Sequence, residues 1–577
     1  MLLQKLRDLA REPEVIAEIP RDAYKKVRVR HKVRLDRSGQ LLGVVDLAES
    51  TKPPGNRGIE MEVPNVVRTS KVRPILFADG PDYTFGLGPS GKETRTEAAH
   101  LAYKALAAEC ADTVNVPEVT AVVRFLSSGA VPASIDPAAD AICFEVEEKV
   151  VTDLPDVISF WAQKVRGVGS EPTGDCLVCG EAKPIVSRWP VVIRGIPGGQ
   201  TSGNQLVSAN AAAFESYGRE ASATAPTCYD CARESALGLN WLLSRPDHHI
   251  RTSNDSVFVF WTRGGQAEFN LATMMTDPGP DDVRELLQAV RTGRRGAVEL
   301  ETARFYGVSL TPSRSRIAVR SWIDTSVPEA KANLACYFDA QKIVQPSGAT
   351  PVPIPLRRLL LATTRDEHDP KFVHPSLAAD LLNLAVSGIP LPPYPIALVL
   401  RRVTSEQKLR VSHARAALMK LVLAGGVPNL QKEAFMQRLD SQSGDRAYLC
   451  GRLLAELEAV QRAALGNPKA SITDRYFGAA SSAPATVFGP LLRNAQNHMG
   501  KLRRDRFGTY LAIDRRLQEI ASRLTSLPNV LTMKEQAVFA LGYYHQKAED
   551  RAAAMAAKDA HLALAVEPDE DEEENHS

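Results

Sequence analysis

The stretch SITDRYFGAASSAPATVFGPLLRNAQNHMGKLRR, from Ser471 to Arg504, decides much of the fold because it ends in a helix with two different faces. From Gly489 onward, its apolar side chains recur at three- and four-residue steps, which is the spacing of one face of an α-helix. These apolar residues are Leu491, Leu492, Ala495, Met499 and Leu502. The opposite side carries Arg493, Asn497, Lys501 and Arg504. We therefore expect one face to pack in a core and the other to face an anionic partner.

Small residues around Pro484, from Ala479 to Thr486, precede this helix. The run is too weakly hydrophobic for a core strand, and its side chains are too short for a charged surface. We expect it to permit the close approach of another backbone segment.

The N-terminal part of the chain predicts a mixed α+β region that is rich in strands. Strand-like segments occur at residues 27–35, 40–47, 141–146, 256–261 and 316–323, and helical patterns occur at 96–110 and 281–290. Residues 344–355, VQPSGATPVPIP, hold four prolines and a glycine, which interrupt both kinds of regular structure. After this segment the pattern is almost wholly helical and favours a bundle.

These patterns predict an α+β fold with an N-terminal region over residues 1–345, which includes a cysteine-bounded insertion over 171–235. A C-terminal α-helical bundle over 346–565 and an acidic disordered tail over 566–577 follow. The tail holds seven carboxylates between Glu567 and Glu574, and without them the net charge rises from +2 to +9. The remainder of the chain is therefore more basic than the total suggests.

Composition excludes several classes of protein. The 577 residues are 44% hydrophobic and 24% charged, which suits two or three folded domains. No apolar run approaches the roughly 18–20 residues that span a bilayer, and the N-terminal residues carry charges where a signal peptide would be apolar. We expect a cytoplasmic protein. Eight cysteines are too few for a disulfide scaffold in so long a chain.

Four of the cysteines form two CxxC pairs, Cys176 with Cys179 and Cys228 with Cys231, separated by 48 residues. Each pair can direct two thiolates at one ion from a tight turn, and four sulfurs satisfy tetrahedral zinc. We predict a structural zinc ion that clips the base of an insertion. A redox dithiol and unrelated core cysteines are weaker alternatives, as is ligation by His248 or His249.

A row of cations alternates with aliphatic residues between Val27 and Leu35, so that an extended strand would place the cations on one side. The cations are Arg28, Arg30, Lys32 and Arg34. The wider segment over residues 21–37 carries +6. Like charges at alternate positions repel each other unless something negative lies beside them, so we predict contact with a nucleic-acid backbone. A solvated strand face is the alternative.

Two neighbouring segments add polar donors. Residues 68–74 supply donor types that hold phosphates or contact base edges, at Arg68, Thr69, Ser70, Lys71 and Arg73. Residues 86–93 resemble a phosphate-binding loop, but Glu93 stands where Ser or Thr should bind magnesium, and Pro89 removes an amide. We therefore expect no nucleotide hydrolysis there. Lys92 could still contact DNA, and an ordinary surface turn is the alternative.

A second basic cluster lies on the predicted helices. Its eight cations between Arg493 and Arg523 are offset by three carboxylates to +5. Aromatic residues are too sparse there for a stacking platform, so we expect these helices to contact a nucleic-acid backbone through charge. A solvated helical face is again the alternative.

Several blocks in a fixed order resemble the large subunit of the type I-C CRISPR surveillance complex, a Cascade. Besides DRYFGAASSAPATVF and LLRNAQNHMGKLRR, these blocks include GGQTSGNQLVSANAAAFESYG (198–218), LNWLLSRPDHHIR (239–251), SRIAVRSWID (315–324) and FALGYYHQ (539–546). They span most of the chain. No block carries a known reaction, so the resemblance depends on their joint order.

The resemblance implies a non-catalytic subunit in antiviral defence. Such a subunit recognises the protospacer-adjacent motif of double-stranded target DNA, assists R-loop formation and recruits a separate helicase-nuclease. Its implied partners are target DNA, the guide-RNA ribonucleoprotein with the other Cascade subunits, and that helicase-nuclease, with no membrane. Guide pairing supplies the remaining sequence selection. Carried over to this chain, motif contact falls on the N-terminal candidates Arg68, Thr69, Ser70, Lys71 and Arg73.

The resemblance also implies that a small subunit can be made from an internal start, for which Met419 and Met436 are candidates. We find no convergent acids, activated nucleophile or open metal site of the kind that a hydrolase needs. Two alternatives stay open: a nucleic-acid-processing enzyme with an unrecognised site, and a zinc-stabilised scaffold that binds only protein.

Overall fold

The computed structural model describes residues 2–48, 58–66, 72–166, 172–209, 212–215, 218–263, 270–291, 303–345, 347, 349, 351–365, 372–406, 411–425, 436–466 and 470–564. The chain divides into two compact units. The first comprises Met1–Ser244 with Pro312–Ala318, and the second comprises Arg245–Thr311 with Val319–Ser577. Among the described residues, no helix is both long and apolar enough to cross a membrane.

The first unit is a mixed α/β structure. Its strands are β1 (Tyr24–Val29), β2 (His31–Leu35), β3 (Leu41–Asp46), β4 (Ile59–Pro64), β5 (Ala78–Asp79), β6 (Ile142–Val146), β7 (Lys149–Val150), β8 (Thr173–Asp175) and β9 (Ala182–Pro184). Its helices are α1 (Leu2–Ala10), α2 (Pro13–Ile16), α3 (Pro81–Thr84), α4 (Glu93–Val114), α5 (Pro117–Ser127), α6 (Pro155–Val165) and α7 (Tyr229–Ser244). Short 3-10 turns occupy Val151–Asp153, Ala212–Phe214 and Ala221–Thr224.

A five-stranded sheet organises this unit. Its strands follow the order β3-β2-β6-β5, with β7 paired to β6, and β2 runs parallel to β6. Helices α4, α5 and α6 cover the sheet, because Val33 and Phe144 of the sheet share a buried cluster with Tyr103, Phe125 and Trp161 of the helices. Strands β1 and β4 form a separate two-stranded ribbon, as do β8 and β9.

The prediction of one strand over residues 27–35 is wrong, because the chain changes sheets at Arg30. Strand β1 pairs with β4, whereas β2 pairs with β3 and β6. The alternation of buried and exposed side chains continues through the break, because Val29 and Val33 are both buried. The two residues nevertheless belong to different clusters of the core. Alternation reports which side of a strand is buried, and it carries no information about the strand's partners.

The second unit combines an antiparallel sheet with a helical bundle. Its strands, in the sheet order β10-β11-β12-β13, are β10 (His249–Ser253), β11 (Ser256–Arg263), β12 (Arg304–Ser313) and β13 (Arg316–Ser326). Its helices up to residue 424 are α8 (Leu271–Thr276), α9 (Pro280–Arg291), α10 (Val327–Gln341), α11 (Leu356–Leu361), α12 (Leu377–Ser387), α13 (Tyr394–Ser405) and α14 (His413–Ala424). The later helices are α15 (Arg446–Leu465), α16 (Ile472–Ser482), α17 (Pro484–Asp505), α18 (Phe507–Arg523) and α19 (Met533–Leu564).

The fold class is as the sequence predicts, with mixed sheets in the N-terminal part and helices in the C-terminal part. The sheet β10–β13 packs with the helices in one core, since Phe260, Leu334 and Leu381 belong to the same cluster of buried residues. This sheet therefore belongs to the same compact unit as the C-terminal helices. The functional boundaries predicted at residues 345 and 565, and at 171–235, stay predictions.

The segment from Ser471 to Arg504 forms two helices. A capping box starts α16, in which the Ser471 hydroxyl accepts from the Asp474 amide and the Asp474 carboxylate accepts from the Ser471 amide. Helix α17 begins at Pro484, five residues before the predicted start at Gly489, and it contains Pro490. Proline is well tolerated at the first helical position, as at Pro484, because no intrahelical partner is needed there. Pro490 lies further inside the helix, where it removes one intrahelical hydrogen bond. The predicted inner face is confirmed, except that Leu492 is exposed.

The run of small residues does bring two backbones together, as the sequence predicts. The amide of Ala485 donates to the Pro528 carbonyl at 3.1 Å, and the amide of Leu531 donates to the Ser482 carbonyl at 2.8 Å.

Helices α15 and α19 cross so closely that no side chain fits at their point of contact. A Cβ added to Gly451 of α15 would lie 2.0 Å from the Phe539 carbonyl oxygen, and one added to Gly542 of α19 would lie 2.2 Å from the Tyr448 carbonyl oxygen. Both distances are far below van der Waals contact, so the two glycines set the distance between the helices.

We predict that Gly451→Ala lowers the free energy of unfolding by about 2–3 kcal/mol or more, because the new methyl group forces two packed backbones apart. The measurement is thermal and denaturant unfolding of the full chain. Gly500→Ala is the matched control, since nothing lies within 4 Å of a Cβ at this helical position. The control should gain about 0.5–1 kcal/mol from its higher helix propensity. Equal stability of the Gly451→Ala variant and the unmodified chain would contradict the close crossing.

Candidate metal centre and nucleic-acid interface

The four cysteines of the CxxC pairs come together in the first unit. Their sulfur atoms all lie within 4.8 Å of one another, and Cys179 Sγ is 4.0 Å from Cys228 Sγ. Four thiolates around one ion at a zinc–sulfur distance of about 2.3 Å would be roughly 3.8 Å apart, so small adjustments would complete a tetrahedron. These residues can therefore hold one metal ion.

Local structure brings each pair into position. Cys176 and Cys179 lie in the turn between β8 and β9, where Gly180 adopts a φ of +76° and its amide donates to the Cys176 carbonyl at 2.8 Å. Cys228 and Cys231 lie at the start of α7. The amides of Val178 and Cys228 donate to the Cys176 sulfur at 3.4 and 3.3 Å, as outer hydrogen bonds around ligand atoms do.

Within the cluster, deprotonation is favoured at Cys228, and the thiolate is the form that binds metal. Burial raises the pKa of Cys179. Hydrogen bonds from Cys231 and the other cysteines lower the pKa of Cys228 to about 5. The pKa of Cys231 is raised in turn by its hydrogen bond to Cys228, by burial and by the negative charge of Cys228. Arg7 donates to the Val178 carbonyl at 3.2 Å and brings a positive charge to the rim of the cluster. Because Arg7 also pairs with Asp8 at 2.7 Å, only part of its charge is left to balance four thiolates around a divalent ion.

The two histidines that sequence analysis kept as weaker ligands have other partners. His248 packs its ring on Phe260 and bonds the Phe260 carbonyl at 3.3 Å, and His249 bonds the Arg245 carbonyl at 2.7 Å. In the described part of the chain, the group of side chains that could hold a metal consists of the four cysteines alone.

The predicted row of cations on the strand face has carboxylates of the protein beside it. Glu145 of β6, whose side chain is 8% exposed, pairs with both Lys32 and Arg34, and its distance to Arg34 is 2.9 Å. The parallel pairing of β2 with β6 sets Glu145 directly beside Arg34. A buried carboxylate therefore already neutralises part of the row.

The other two members of the row also have neighbours of opposite charge. Arg30 pairs with Asp46 at 3.0 Å, and the register of β1 with β4 sets Glu60 opposite Arg28. Arg28 is exposed and donates to the Gly58 carbonyl at 3.2 Å. Repulsion within the row thus does not by itself require a nucleic acid. DNA contact by these four cations stays a prediction.

The loop that resembles a phosphate-binding motif is occupied by its own carboxylate. Glu93 begins α4, and its side chain accepts the Gly91 amide at 2.7 Å. This hydrogen bond lowers the pKa of Glu93, so the carboxylate carries its charge at the point where a phosphate would sit. Lys92 is exposed beside it.

Of the predicted motif-contact residues, Arg73 is described, whereas Arg68, Thr69, Ser70 and Lys71 lie outside the described residues. Arg73 is exposed, and it lines a cleft of about 610 Å³ in the first unit. Val66 and Val72, which bracket the remaining four in the sequence, line the same cleft. Motif contact by all five stays a prediction.

The polar face of α17 lies outward as predicted. Arg493, Asn497, Lys501 and Arg504 are all exposed, and Lys501 donates to the Ala464 carbonyl at the end of α15 at 2.8 Å. Neither Arg493 nor Arg504 has an ion-pair partner among the residues that the structure describes. Unlike the strand cations, these two side chains therefore have charge available for an external anion.

Sequence analysis missed an aromatic pair beside these cations. Phe507 is 56% exposed and stacks on Tyr510, with ring centroids 6.0 Å apart and an interplanar angle of 22°. Both residues lie in the first turn of α18, directly after Arg504 and Arg506. The i, i+3 spacing of the two aromatics was the available signal.

Buried charges in the second unit join helices together. Arg452 of α15 donates to Gln546 of α19 and to Glu519 of α18, both at 2.9 Å. Glu456 accepts from Arg516 at 2.7 Å and from Gln546 at 2.8 Å, and burial raises its pKa to about 7. A perturbed carboxylate is often functional. Here burial within the helical core and the neighbouring carboxylate of Asp550 raise the pKa, and the ion pair with Arg516 opposes the shift, so packing of the helices accounts for it.

Comparison with known families identifies the class of protein. The family model described as CRISPR-associated protein (Cas_Csd1) matches residues 2–550, which is nearly the whole chain. The chain belongs to this family, the large subunits of the type I-C CRISPR surveillance complex. No curated protein matches the sequence. The resemblance found in the sequence blocks is thus confirmed at the level of the family.

Proposed function

We propose that this protein is the non-catalytic large subunit of a type I-C Cascade. In this role it recognises the protospacer-adjacent motif of double-stranded target DNA, assists R-loop formation and recruits a separate helicase-nuclease. Family membership over residues 2–550 is the observation that carries the proposal, because the family is one of Cascade subunits. Guide RNA, the other Cascade subunits and the helicase-nuclease are the proposed partners.

The geometry supports two different kinds of nucleic-acid contact. In the first unit, Arg73 lies at a cleft whose neighbouring sequence holds Arg68 to Lys71, which suits motif recognition. On α17 the exposed cations without described partners suit a backbone or displaced strand, which is bound by charge with little base selection. The strand cations, with their own carboxylates beside them, contribute less net charge.

We predict that charge reversal at Arg68, Lys71 and Arg73 weakens motif-dependent DNA binding by the assembled complex. Each lost contact to a base or phosphate costs about 1–3 kcal/mol, which is roughly 5- to 150-fold in affinity. Binding is measured with DNA that carries the motif and with motif variants. Arg124→Glu is the control, since Arg124 is exposed on α5 and belongs to none of the candidate sets. Unchanged discrimination between motif variants would refute the assignment.

The two alternative functions have direct tests. Cleavage of labelled DNA by the purified chain with divalent metal would replace the binding role by an enzymatic one. Absence of DNA binding at any salt concentration would favour a scaffold that contacts only protein. The proposed role instead requires binding that weakens steeply as salt rises.

The metal centre is proposed to be structural zinc held by Cys176, Cys179, Cys228 and Cys231. Four thiolates complete the coordination that zinc prefers, so no position is left for substrate or water. The ion would connect the turn of β8–β9 to the start of α7 across the intervening 48 residues. Its chemical contribution is to stabilise the fold.

We predict about one zinc ion per purified chain, and loss of most of that zinc in a Cys228→Ser variant. The melting temperature should fall in the same variant, because metal binding contributes free energy only to the folded state. Elemental analysis and thermal melting are the measurements. Cys336→Ser, outside the cluster and partly buried, should keep its zinc. A reduced, correctly folded chain without zinc would contradict the proposal.

A C-terminal fragment could serve as a small subunit, and the helix boundaries favour Met436 over Met419 as its start. Met419 is buried within α14, so a fragment that begins there would keep only part of that helix. Met436 precedes α15, and a fragment from this residue keeps all of α15 to α19.

We predict that the intact reading frame yields a C-terminal fragment which a Met436→Ala change abolishes and a Met419→Ala change does not. Immunoblotting with a C-terminal tag and mass spectrometry of the fragment's N-terminus provide the measurement. Absence of any such fragment, or its persistence in the Met436→Ala variant, would count against Met436.

A further inference from the structure

The cleft of about 610 Å³ in the first unit has an unusual lining. Four cations line it, and the described lining residues include no carboxylate. The cations are Arg73, Lys164, Arg166 and Arg188. Its volume lies within the roughly 300–1,000 Å³ of typical ligand sites. A lining rich in donors and lacking acidic groups suits an anionic ligand rich in acceptors.

The metal cluster holds one wall of the cleft. Residues 184–190 continue from β9 and line it, as does Tyr229, the neighbour of Cys228. Ile185 pairs with Cys228 in an antiparallel bridge, and the Val186 amide donates to the Thr227 carbonyl at 3.0 Å. The position of this wall therefore depends on the contact between the two cysteine pairs.

The side of the cleft that faces this wall is joined to it by a hydrogen bond. The side-chain amide of Asn65 donates to the Pro190 carbonyl at 2.9 Å, which joins the end of the wall to the end of β4. Val66 follows Asn65 and also lines the cleft. The cleft is thus built between the β1–β4 ribbon and the cysteine-clipped segment.

The four cations differ in how far the protein neutralises them. Lys164 pairs with Glu109, and Arg166 pairs with Asp22 at 2.5 Å. Arg188 is exposed and has no hydrogen-bond or ion-pair partner among the described residues. Its guanidinium is therefore available to a ligand in the cleft.

Two buried donors in the lining also lack partners in the part of the chain that the structure describes. They are the indole Nε1 of Trp189 and the hydroxyl of Tyr229. A buried donor without an acceptor costs about 1–3 kcal/mol, so such groups usually have a partner. Trp189 follows Arg188 in the sequence, and Tyr229 follows Cys228 of the metal cluster. A phosphate oxygen would supply the acceptor that the exposed Arg188 guanidinium lacks.

We propose that this cleft binds a phosphodiester of nucleic acid and that Arg188 is a contact residue positioned by the tetracysteine cluster. The proposal rests on the DNA-binding function proposed above and deepens it. The segment between the cysteine pairs then has a role in binding as well as in the fold. A phosphate group of a free nucleotide has the same chemistry and is distinguished by the experiment.

The test compares Arg188→Ala with Arg194→Ala in the full chain. Arg194 is exposed on the same insertion and does not line the cleft. Binding of labelled duplex DNA is measured by fluorescence anisotropy over a series of salt concentrations. Arg188→Ala should weaken binding about three- to tenfold and reduce the slope of log affinity against log salt by about one. Arg194→Ala should change neither quantity.

A double-mutant cycle tests the dependence on the cluster. Arg188→Ala should have little further effect on DNA affinity in a Cys228→Ser background, because the wall is already displaced there. Full additivity of the two changes would overturn the dependence on the cluster. Unaltered affinity and salt slope in Arg188→Ala would overturn the site itself.

Competition separates the two sources of phosphate. Inorganic phosphate and nucleoside monophosphate, added at constant ionic strength, should displace DNA only weakly. Strong displacement by either would overturn nucleic acid as the occupant. Normal motif discrimination in the Arg188→Ala complex would leave the proposed function intact. Unchanged DNA affinity in Arg188→Ala, together with loss of binding on reversal of Arg68 and Lys71, would refute this site alone.

Discussion

The close crossing of α15 and α19 is the constraint on which the helical unit depends. Gly451 and Gly542 remove the side chains that would separate the two backbones. Phe477 of α16 then packs edge-on against Phe539 and Tyr543 of α19, with ring centroids 5.7 and 5.2 Å apart. Two buried charges of α15 also bond α18, since Arg452 donates to Glu519 and Glu456 accepts from Arg516, and these contacts connect α18 to the pair.

The first unit depends on a different constraint, the meeting of two cysteine pairs. Their contact connects the turn of β8–β9 to the start of α7 and closes the base of the segment between them. The same contact sets the wall that carries Arg188 and Trp189. A metal ion held by the cysteines would therefore affect the cleft indirectly, through the position of the wall.

The two basic surfaces illustrate how a fold alters the meaning of a charge pattern. The strand cations looked like a continuous row, but Glu145 and Asp46 come beside them when the strands pair. Arg493 and Arg504 of α17 keep their exposure without ion-pair partners in the described structure. Net charge available to an anion thus depends on which carboxylates the tertiary structure brings near, and the helical surface retains more of it.

The sequence alone determined the fold class, the family, the two cysteine pairs and the inner face of α17. The fold class, the cysteine pairs and the inner face follow from periodicity and spacing, which are local properties of the chain, whereas the family follows from the ordered sequence blocks that resemble it. It also located the close backbone approach at Ser482 and Ala485. Only the tertiary structure decided the break at Arg30, the pairing of the strand cations, the glycine crossing of α15 and α19, and the cleft that includes Arg188. Each of these depends on residues far apart in the sequence, whose proximity no local pattern encodes.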